Sequence, residues 1–553
     1  MGPWGDVKPL RIVLLVLAVA LVTAIVIVAL RPADTGDTTP GLIASVIEPS
    51  QILPGSRALM DLGKTTYQKE CVACHGVKGD GEGEAAYLLY PRPRDFTSGL
   101  FRLVSTWDGV PTDTDLFRTI SRGMPGSAMP SWSHFPEKTR WALVHYIKTL
   151  PERPLQVAQT KDPDSSGNGG AGVIAVPAEP PYTPAAEARA REWFAKGCAP
   201  CHGPTGKGDG QQKQTDSKGY PTSPRDLTLG VFKGDPSPTD VYRHIVAGLP
   251  GSPMPQSGYL HGSDAWALVH FVRSLSSDEQ RAKMEMKRFR IVARRVVELP
   301  AHPDSGIWRT APAVNLHLMP LWWRAERPEE VTVQALHDGK QIAFRLAWAD
   351  ATYDATAMRP QDFRDAAAIE FALTADPPFF AMGGTGEHVG AVNLWMWKAE
   401  RQADLEPAFQ DLEKVYPNIG IDSYPNLLRS PLEQPMRHAL TLESDPRFVT
   451  AWGAGNIVAD PTRRSAAEDL TARGFGTLKA RPRADQAVQA VGDYQTGSYR
   501  VQFTRALAPG KGDAATLAAG ARFPVAFAIW NGSAGDRDGK KSVTIWQELL
   551  IEK

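Results

Sequence analysis

The chain has 553 residues, its 61 basic and 61 acidic side chains cancel at pH 7, and 42% of its residues are apolar. At roughly 150 residues per domain, this length predicts three or four domains with ordinary buried cores. The balanced charge gives no indication of nucleic acid as a partner, and the 46 prolines and 49 glycines argue against a simple helical bundle.

Residues 12–30 form a stretch without a charge that is rich in Leu, Val, Ile and Ala. As a helix it would span about 28 Å, close to the hydrocarbon core of a bilayer. A cleaved secretion signal is the alternative, but its apolar part is shorter and residues 29–33 make a poor cleavage site. Lys8 and Arg11 precede the stretch. We therefore expect a single-pass anchor in the bacterial inner membrane. Residues 1–31 would form the cytoplasmic N-terminus and the transmembrane anchor, and the rest of the chain would lie in the periplasm.

All four cysteines lie in two pentapeptides, Cys-Val-Ala-Cys-His at 71–75 and Cys-Ala-Pro-Cys-His at 198–202. The C-x-x-C-H pattern is the attachment signature of c-type haem, in which two thiols bind the vinyl groups and the histidine ligates the iron. Two disulfides are the weaker alternative. The pattern predicts two covalent haem c groups, held by Cys71, Cys74, Cys198 and Cys201, with His75 and His202 as iron ligands.

Residues 53–150 and 183–275 repeat one another. Each copy continues from its pentapeptide through a glycine-rich stretch, a Tyr-Pro pair, a Gly-Ser-x-Met-Pro loop and a Trp-Ala-Leu-Val-His segment. An internal repeat of this kind predicts a duplicated domain. Both copies resemble class I cytochromes c, which implies two all-α domains. In that fold the helix that enters C-x-x-C-H meets the C-terminal helix, which places Gly63, Tyr67, Trp193 and Phe194 against Tyr146 and Phe271.

The repeat also predicts the sixth iron ligands. Met129 and Met254 occupy matching places before a proline, and a methionine thioether is the usual partner of the histidine. Met124 is the nearest rival, but its counterpart is Leu249, so a ligand common to both copies cannot be there. Two further residues follow prolines in loops and either bind haem propionates or pair at the surface with the next aspartate: Arg94 and Arg225.

Two connectors separate the domains. Residues 151–182 are rich in Pro, Gly, Ser and Asp without apolar periodicity, which predicts a flexible linker. A coil of about 28 residues would span about 30 Å, so it allows either docking or separation of the two cytochrome domains. Residues 276–296 form a second, charged connector.

The C-terminal region, residues 297–553, shows period-two alternation. Residues 331–337 and 340–348, joined at Asp338-Gly339, predict a β-hairpin. Many short strands without intervening helices predict an all-β sandwich, interrupted by a polar, proline-rich insertion at about 401–485. Further predicted strands lie at 367–373, 392–397, 499–504, 524–530 and 542–546.

Several stretches of this region resemble the haem-b subunit of ethylbenzene dehydrogenase: Trp308, Leu-Ala-Trp-Ala-Asp at 346–350, Phe-Arg-Asp at 363–365, Pro-Phe-Phe-Ala-Met-Gly at 378–383, Asn-Leu-Trp-Met-Trp-Lys at 393–398, Trp-Asn-Gly at 530–532 and Lys-Lys-Ser-Val-Thr-Ile-Trp at 540–546. This family includes the gamma subunits of dimethylsulfide dehydrogenase, chlorate reductase and selenate reductase, with relatives among nitrate reductases and nitrite oxidoreductases. The resemblance implies a sandwich that holds one non-covalent haem b between Met382 and Lys541. Met396 and Lys540 are the rivals, and ligation by lysine requires burial to lower its pKa.

Together these patterns predict an electron-transfer subunit with two haem c and one haem b. The family resemblance implies iron–sulfur and molybdenum-cofactor catalytic subunits as partners, so catalysis would lie on another chain. Membrane lipid and either a quinol-oxidising complex or a soluble cytochrome would complete the connection to the respiratory chain. Two alternatives remain open: a catalytic cytochrome with an open haem site, and a dihaem cytochrome c fused to a ligand- or carbohydrate-binding sandwich.

Overall fold

The computed structural model of the protein describes residues 41–43, 46–155, 172–260, 262–379, 390–405, 416–418, 465–509 and 513–553. The predicted anchor at residues 12–30, Met382 and most of the predicted insertion lie outside these ranges. Within them, no helix is both long enough and apolar enough to cross a membrane.

The first α-domain follows the short strand β1 (Gly41–Leu42). Its helix α1 begins after Ser56, whose side chain accepts a hydrogen bond from the Leu59 amide, and runs directly into the C-x-x-C-H turn. A capping box formed by Thr112 and Asp115 starts α3. The helices are α1 (Arg57–Glu70), α2 (Val72–His75), α3 (Asp113–Arg122) and α4 (Glu137–Ile147), with a 3-10 turn at Ala86–Leu88.

The crossing of α1 and α4 depends on a glycine. A Cβ atom on Gly63 would lie 2.1 Å from the carbonyl oxygen of Ala142, so only glycine allows this approach. The Tyr67 and Tyr146 rings pack beside it with centroids 5.2 Å apart. The predicted meeting of the entering and C-terminal helices is therefore confirmed in this domain.

The second α-domain repeats this plan. A π-turn at Phe194–Cys198 leads from its first helix into the second C-x-x-C-H turn, and Phe194 packs edge-on against Phe271 at 5.1 Å. Trp193 instead contacts Tyr259. The helices are α5 (Pro184–Trp193), α6 (Ala199–His202), α7 (Pro238–Ala247), α8 (Gly262–Ser274) and the connector helix α9 (Asp278–Lys283), with β2 (Gln214–Thr215), β3 (Pro221–Thr222) and a 3-10 turn at Leu227–Leu229.

The two α-domains are docked, and part of the second domain's apolar core joins that of the first, while the rest forms a separate cluster around Phe194 and Phe271. Trp141 of the first domain and Trp266 of the second belong to the same buried cluster. Arg122 at the end of α3 pairs with Asp235 at 2.6 Å and also with Glu285 of the connector. Arg122 is 7% exposed, so a buried cation joins both domains to the connector.

Residues 172–182 differ from the predicted flexible linker. The Ile174 amide donates to the Ser105 carbonyl at 2.7 Å, and the Trp107 amide donates to Gly172 at 3.1 Å. The Trp266 indole donates to the Pro177 carbonyl at 3.1 Å. Through these hydrogen bonds the irregular backbone of residues 172–182 finds partners in both α-domains. Apolar periodicity in the sequence gives no sign of such bonds. Residues 156–171 lie outside the described ranges.

The third domain is rich in β-sheet, as predicted. The described strands form one continuous sheet whose main path runs β12-β11-β10-β9-β15-β17-β4-β7-β8-β14-β13, and among them only β17–β4 and β4–β7 pair in parallel. Beside this path, β5 pairs with β7, and β16 pairs with β15 and β6. The strands are β4 (Phe289–Arg295), β5 (Val314–His317), β6 (Met319–Pro320), β7 (Glu330–His337), β8 (Gln341–Ala349), β9 (Ala366–Ala372), β10 (Ala391–Lys398), β11 (Ala467–Arg473), β12 (Lys479–Ala480), β13 (Gln489–Tyr494), β14 (Ser498–Ala506), β15 (Arg522–Trp530), β16 (Ser542–Val543) and β17 (Gln547–Ile551); one helix, α10 (Ala399–Leu405), follows β10.

The sheet bends so that its two ends cover one core. The Phe344 ring on β8 lies 5.8 Å from Phe371 on β9 and 5.9 Å from Trp395 on β10, although these strands are not neighbours. Trp348 and Trp397 meet in the same way at 6.3 Å. Two layers of a single sheet therefore pack face to face.

The hairpin prediction is confirmed, since β7 and β8 pair in antiparallel fashion around Asp338-Gly339. Two boundaries differ from prediction. Strand β4 begins at Phe289, inside the predicted connector 276–296, and pairs with β1 near the start of the described chain. The predicted insertion at 401–485 contains β11, which pairs with β10. Strand β11 buries Glu468 and Asp469, whose charges are paired with arginines, so its sequence lacks the apolar alternation of a typical strand.

Candidate functional site: three cofactor cavities

The first α-domain contains an open cavity of about 1200 Å³, a volume that, like the two given below, includes space open to solvent. The Nδ1 atom of His75 lies 2.9 Å from the Arg94 carbonyl oxygen, and the ring stacks on Phe96 with centroids 4.4 Å apart. This contact holds the ring and leaves Nε2 as the nitrogen available to a ligand. The predicted residues that line the cavity are Cys71, Cys74, His75 and Met129.

The second α-domain contains a matching cavity of about 1420 Å³, lined only by residues between 193 and 272. The two methionine loops have the same backbone turn, because the Met124 amide donates to Met129 and the Leu249 amide donates to Met254, each at 3.1 Å. Met124 lines the first cavity as well as Met129, so the lining does not decide which of the two is the candidate ligand. The preference for Met129 rests on the sequence repeat. The predicted residues that line the second cavity are Cys198, Cys201, His202 and Met254.

The protonation states in both cavities suit a covalently attached haem. Burial raises the pKa of the Cys74 thiol to about 12 and that of Cys198 to about 11. Burial lowers the pKa of both His75 and His202 to about 4. The imidazoles are therefore neutral at pH 7, as an iron ligand must be. All four cysteines are free thiols in this structure.

Arg94 and Arg225 line the first and second cavities, respectively. Arg225 is 4% exposed, and among the residues that the structure describes none accepts a hydrogen bond from its three guanidinium nitrogens. The surface alternative, a pair with the next aspartate, is not formed: Asp95 pairs with Lys218 at 3.2 Å, and Asp226 accepts from Thr228. Arg94 donates to the Leu100 and Gly251 carbonyls and keeps one buried terminal nitrogen without a partner among the described residues. Buried guanidinium nitrogens of this kind fit the carboxylates of a bound porphyrin.

The third domain contains the largest of these cavities, about 2880 Å³, on the outer face of β9, β10, β11 and β15. Lys541 lines it and places its Nζ 4.9 Å from the centroid of the Trp530 ring. Burial lowers the pKa of Lys541, which favours the neutral amine that ligation requires. Lys540 is not among the residues lining this cavity and donates to the Ala534 carbonyl at 2.7 Å. Of the adjacent lysines, Lys541 therefore has the position of a ligand.

Of the two candidate methionines, Met396 lines this cavity, whereas Met382 lies outside the described residues. The lining also includes charged residues that no sequence motif indicated, among them Glu370, Lys398 and Glu468. Burial raises the pKa of Glu370 to about 7, and Lys398 pairs with Glu468 at 3.3 Å. The position of Lys398 could have been predicted from the sequence, because alternation along a strand places it on the same face as Met396.

The first and third cavities share a wall. Leu89 and Phe379 line both of them, and Leu88 reaches the third from the first α-domain. The Phe379 amide donates to the Glu70 carboxylate at 2.9 Å, and Lys69 pairs with Asp376 at 2.6 Å. The end of α1 therefore holds the segment that leads towards Met382.

Family comparisons match this architecture. A family model of ethylbenzene dehydrogenase matches residues 305–542. A model of cytochrome c oxidase, cbb3-type, subunit III matches residues 58–147, and one of cytochrome c matches residues 187–276. The chain joins two cytochrome c domains to an ethylbenzene dehydrogenase family domain. The family resemblance predicted from the sequence is thus confirmed.

Three curated relatives extend the comparison. A Haloferax mediterranei protein described as a respiratory nitrate reductase haem subunit is 25% identical over 260 residues, which cover 45% of this chain and 67% of that protein. Chlorate reductase subunit gamma of Ideonella dechloratans is 24% identical over 260 residues, covering 45% and 79%. Dimethylsulfide dehydrogenase subunit gamma of Rhodovulum sulfidophilum is 33% identical over 108 residues, covering 18% and 40%. This chain resembles cytochrome subunits of oxidoreductases.

Proposed function

We propose that the protein is a membrane-anchored, periplasmic electron-transfer subunit with two haem c and one haem b. It would relay electrons between a molybdenum and iron–sulfur oxidoreductase and the respiratory chain. The observation that carries the proposal is the set of three cavities, each with residues suited to a haem, of which the first and third share the wall formed by Leu89 and Phe379. The names of the relatives supply the class of partner.

In each cytochrome cavity the two cysteines would hold a haem covalently, and a histidine and a methionine would ligate its iron. A haem held in this way would exchange single electrons, and ligation by two side chains would leave no coordination site for a substrate. The chain's own contribution is to fix the imidazole by the Arg94 carbonyl, exclude water and supply buried cations. The assigned residues are Cys71, Cys74, His75 and Met129 in the first cavity, and Cys198, Cys201, His202 and Met254 in the second.

In the third cavity we assign Lys541 and, following the family pattern, Met382 to the iron of haem b. Met396 is the alternative because it lines the cavity. Substituting each methionine by alanine separates them. Met382→Ala should abolish the low-spin haem b spectrum while Met396→Ala retains it, and the reverse outcome would transfer the assignment to Met396.

An alkaline-pyridine haem spectrum of the purified protein tests the proposal as a whole. We expect two haem c for each haem b. Two haem c without haem b would favour a ligand-binding third domain and overturn the proposal. A high-spin haem c that binds carbon monoxide would favour a catalytic cytochrome instead. Co-purification with subunits that contain molybdenum and iron–sulfur clusters is the expected result for the partner class.

The location of the chain is part of the same proposal. We assign residues 12–30 to a single span of the inner membrane, with lipid as a partner and either a quinol-oxidising complex or a soluble cytochrome as the respiratory partner. Carbonate extraction of membranes should leave the full chain in the pellet. A variant that lacks residues 1–31 but carries a cleavable secretion signal should be released into the periplasm with all of its haem.

A further inference from the structure

The two cytochrome cavities meet at a group of four cations, which we call the inter-cavity cluster: Arg94, Arg102, Arg225 and Lys233. Arg94 and Arg102 line the first cavity, and Arg225 and Lys233 line the second. Among the described residues, two carboxylates lie nearby: that of Asp216, at 3.9 Å from Arg102, and that of Asp95, whose charge acts on Arg94. The charge of a further cation, Arg327, acts on Arg225. Cations therefore outnumber carboxylates at the boundary between the two domains.

The protein leaves much of this charge without a partner. Every guanidinium nitrogen of Arg225 is buried without a hydrogen bond, as are the Nε atom of Arg102 and one terminal nitrogen of Arg94. Burial and the charge of Arg102 lower the pKa of Arg225 to about 9. Burial likewise lowers the pKa of Lys233 well below its usual value, with Arg225 and Arg102 adding to the effect. Buried, unpaired cations are costly, so the cluster is built to receive anions.

Two arginines of the inter-cavity cluster also reach from their own domain into the other. Arg94 of the first domain donates to the Gly251 carbonyl of the second at 3.2 Å. Arg225 of the second domain reaches Gly126 of the first, where an added Cβ atom would lie 3.1 Å from its Nε. Both glycines have positive φ, +69° and +68°, and each precedes by three residues the methionine assigned to its own domain. Each arginine therefore contacts the methionine loop of the opposite domain.

We propose that the inter-cavity cluster is a single anion site shared by both cytochrome domains, which binds carboxylates of both covalent haems and makes the redox potential of each depend on the same four cations. The inference rests on the proposed function and goes beyond it. The repeat predicts Arg94 and Arg225 as separate contacts, one in each domain. The structure adds Arg102 and Lys233, and the charge of Arg102 acts on each of the other three. A cation beside an iron porphyrin disfavours the more positive, oxidised state, so losing one cation from a shared site should lower both potentials.

The test is a spectroelectrochemical titration of the full-length holoprotein with Arg102→Gln or Lys233→Gln, one variant from each domain. Each variant should shift both haem c waves to more negative potential. We expect about a tenfold change in the ratio of oxidised to reduced haem at fixed potential, which is about 59 mV for a one-electron couple. Arg102→Lys keeps the charge, so it should return both haem c potentials most of the way to their wild-type values. Lys138→Gln, which removes an exposed charge of the first domain, is the matched control and should move neither wave.

The outcomes distinguish this inference from the proposed function. If each variant shifts only the redox potential of the haem in its own domain, or if neither potential shifts, the proposal of a shared site is wrong. The assignment of the haems still stands in that case. If the pyridine spectrum of the wild-type protein lacks two haem c, the proposed function fails before any variant is compared. Should Arg102→Gln fail to fold or to acquire haem, Lys233→Gln decides the question by the same criterion.

Discussion

The two cytochrome domains have the same set of candidate ligands but different surroundings. The first cavity shares Leu89 and Phe379 with the cavity of the sheet domain, whereas the second is lined only by residues of its own domain. Glu70, directly before the first pentapeptide, binds the Phe379 amide, and Gly197 occupies the matching position of the second. Duplication has therefore kept the residues that face the cofactor and changed those that face neighbouring domains.

The same contrast appears in packing. Arg122 ends α3 of the first domain with a buried ion pair, and its counterpart at the end of α7 is Ala247. Gly63 allows the close approach of α1 and α4, while Ala190 occupies the equivalent position in α5. The first domain is thus specialised for contact with the rest of the molecule.

The largest expected effect comes from removing the histidine of each pentapeptide. His75→Ala and His202→Ala should each lower the haem c content from two to one per chain, measured by the pyridine spectrum. His75→Ala should also lower haem b, because Leu88 and Leu89 line the third cavity and follow Ala85, whose amide donates to Ala73 of the pentapeptide. Equal loss of haem b in both variants would contradict the contrast between the domains.

Arg122→Ala should lower the free energy of unfolding by about 3–5 kcal/mol, because it leaves Asp235 and Glu285 without their shared buried cation. Denaturant unfolding followed by haem absorbance measures the effect. Arg122→Lys, which keeps the charge, should cost clearly less. An unchanged midpoint for Arg122→Ala would show that the ion pairs do not hold the two domains to the connector.

Gly63→Ala should cost about 3 kcal/mol, because its Cβ atom would meet the Ala142 carbonyl at 2.1 Å. The matched change in the second domain, Ala190→Gly, creates no clash and should cost about 1 kcal/mol through helix propensity. Thermal unfolding of both variants gives the comparison. Equal losses of unfolding free energy in Gly63→Ala and Ala190→Gly would mean that the helix crossings of the two domains are equally close.

The smallest effect concerns pH. Burial raises the pKa of Glu70, so the folded chain binds this proton more tightly than the unfolded chain does. Stability contributed by Glu70 therefore rises as pH falls through the folded pKa and stops rising below the unfolded pKa. Glu70→Gln should flatten the dependence of the unfolding midpoint on pH, because the amide that replaces the carboxyl binds no proton in either state. An identical profile in both proteins would exclude this contribution.

Several features follow from local sequence. The Asp338-Gly339 turn and its alternating flanks predict β7 and β8, because side-chain period and turn chemistry are short-range properties. Other features escape such reasoning. Strand β11 contains Glu468 and Asp469, whose burial depends on Arg401 and Arg481 at a distance in the chain. Residues 172–182 have no periodicity and owe their order to hydrogen bonds with both cytochrome domains.

By itself, the sequence determined the repeated pentapeptides, the paired methionine loops and the family of the third domain, because these patterns are local. The tertiary structure alone decided which lysine of the pair 540–541 faces the third cavity, which cytochrome domain borders it, and how four cations gather between the two cytochrome cavities. The physical reason is that a contact between residues far apart in the chain depends on docking of whole domains. The spacing of residues within a motif carries no information about that docking.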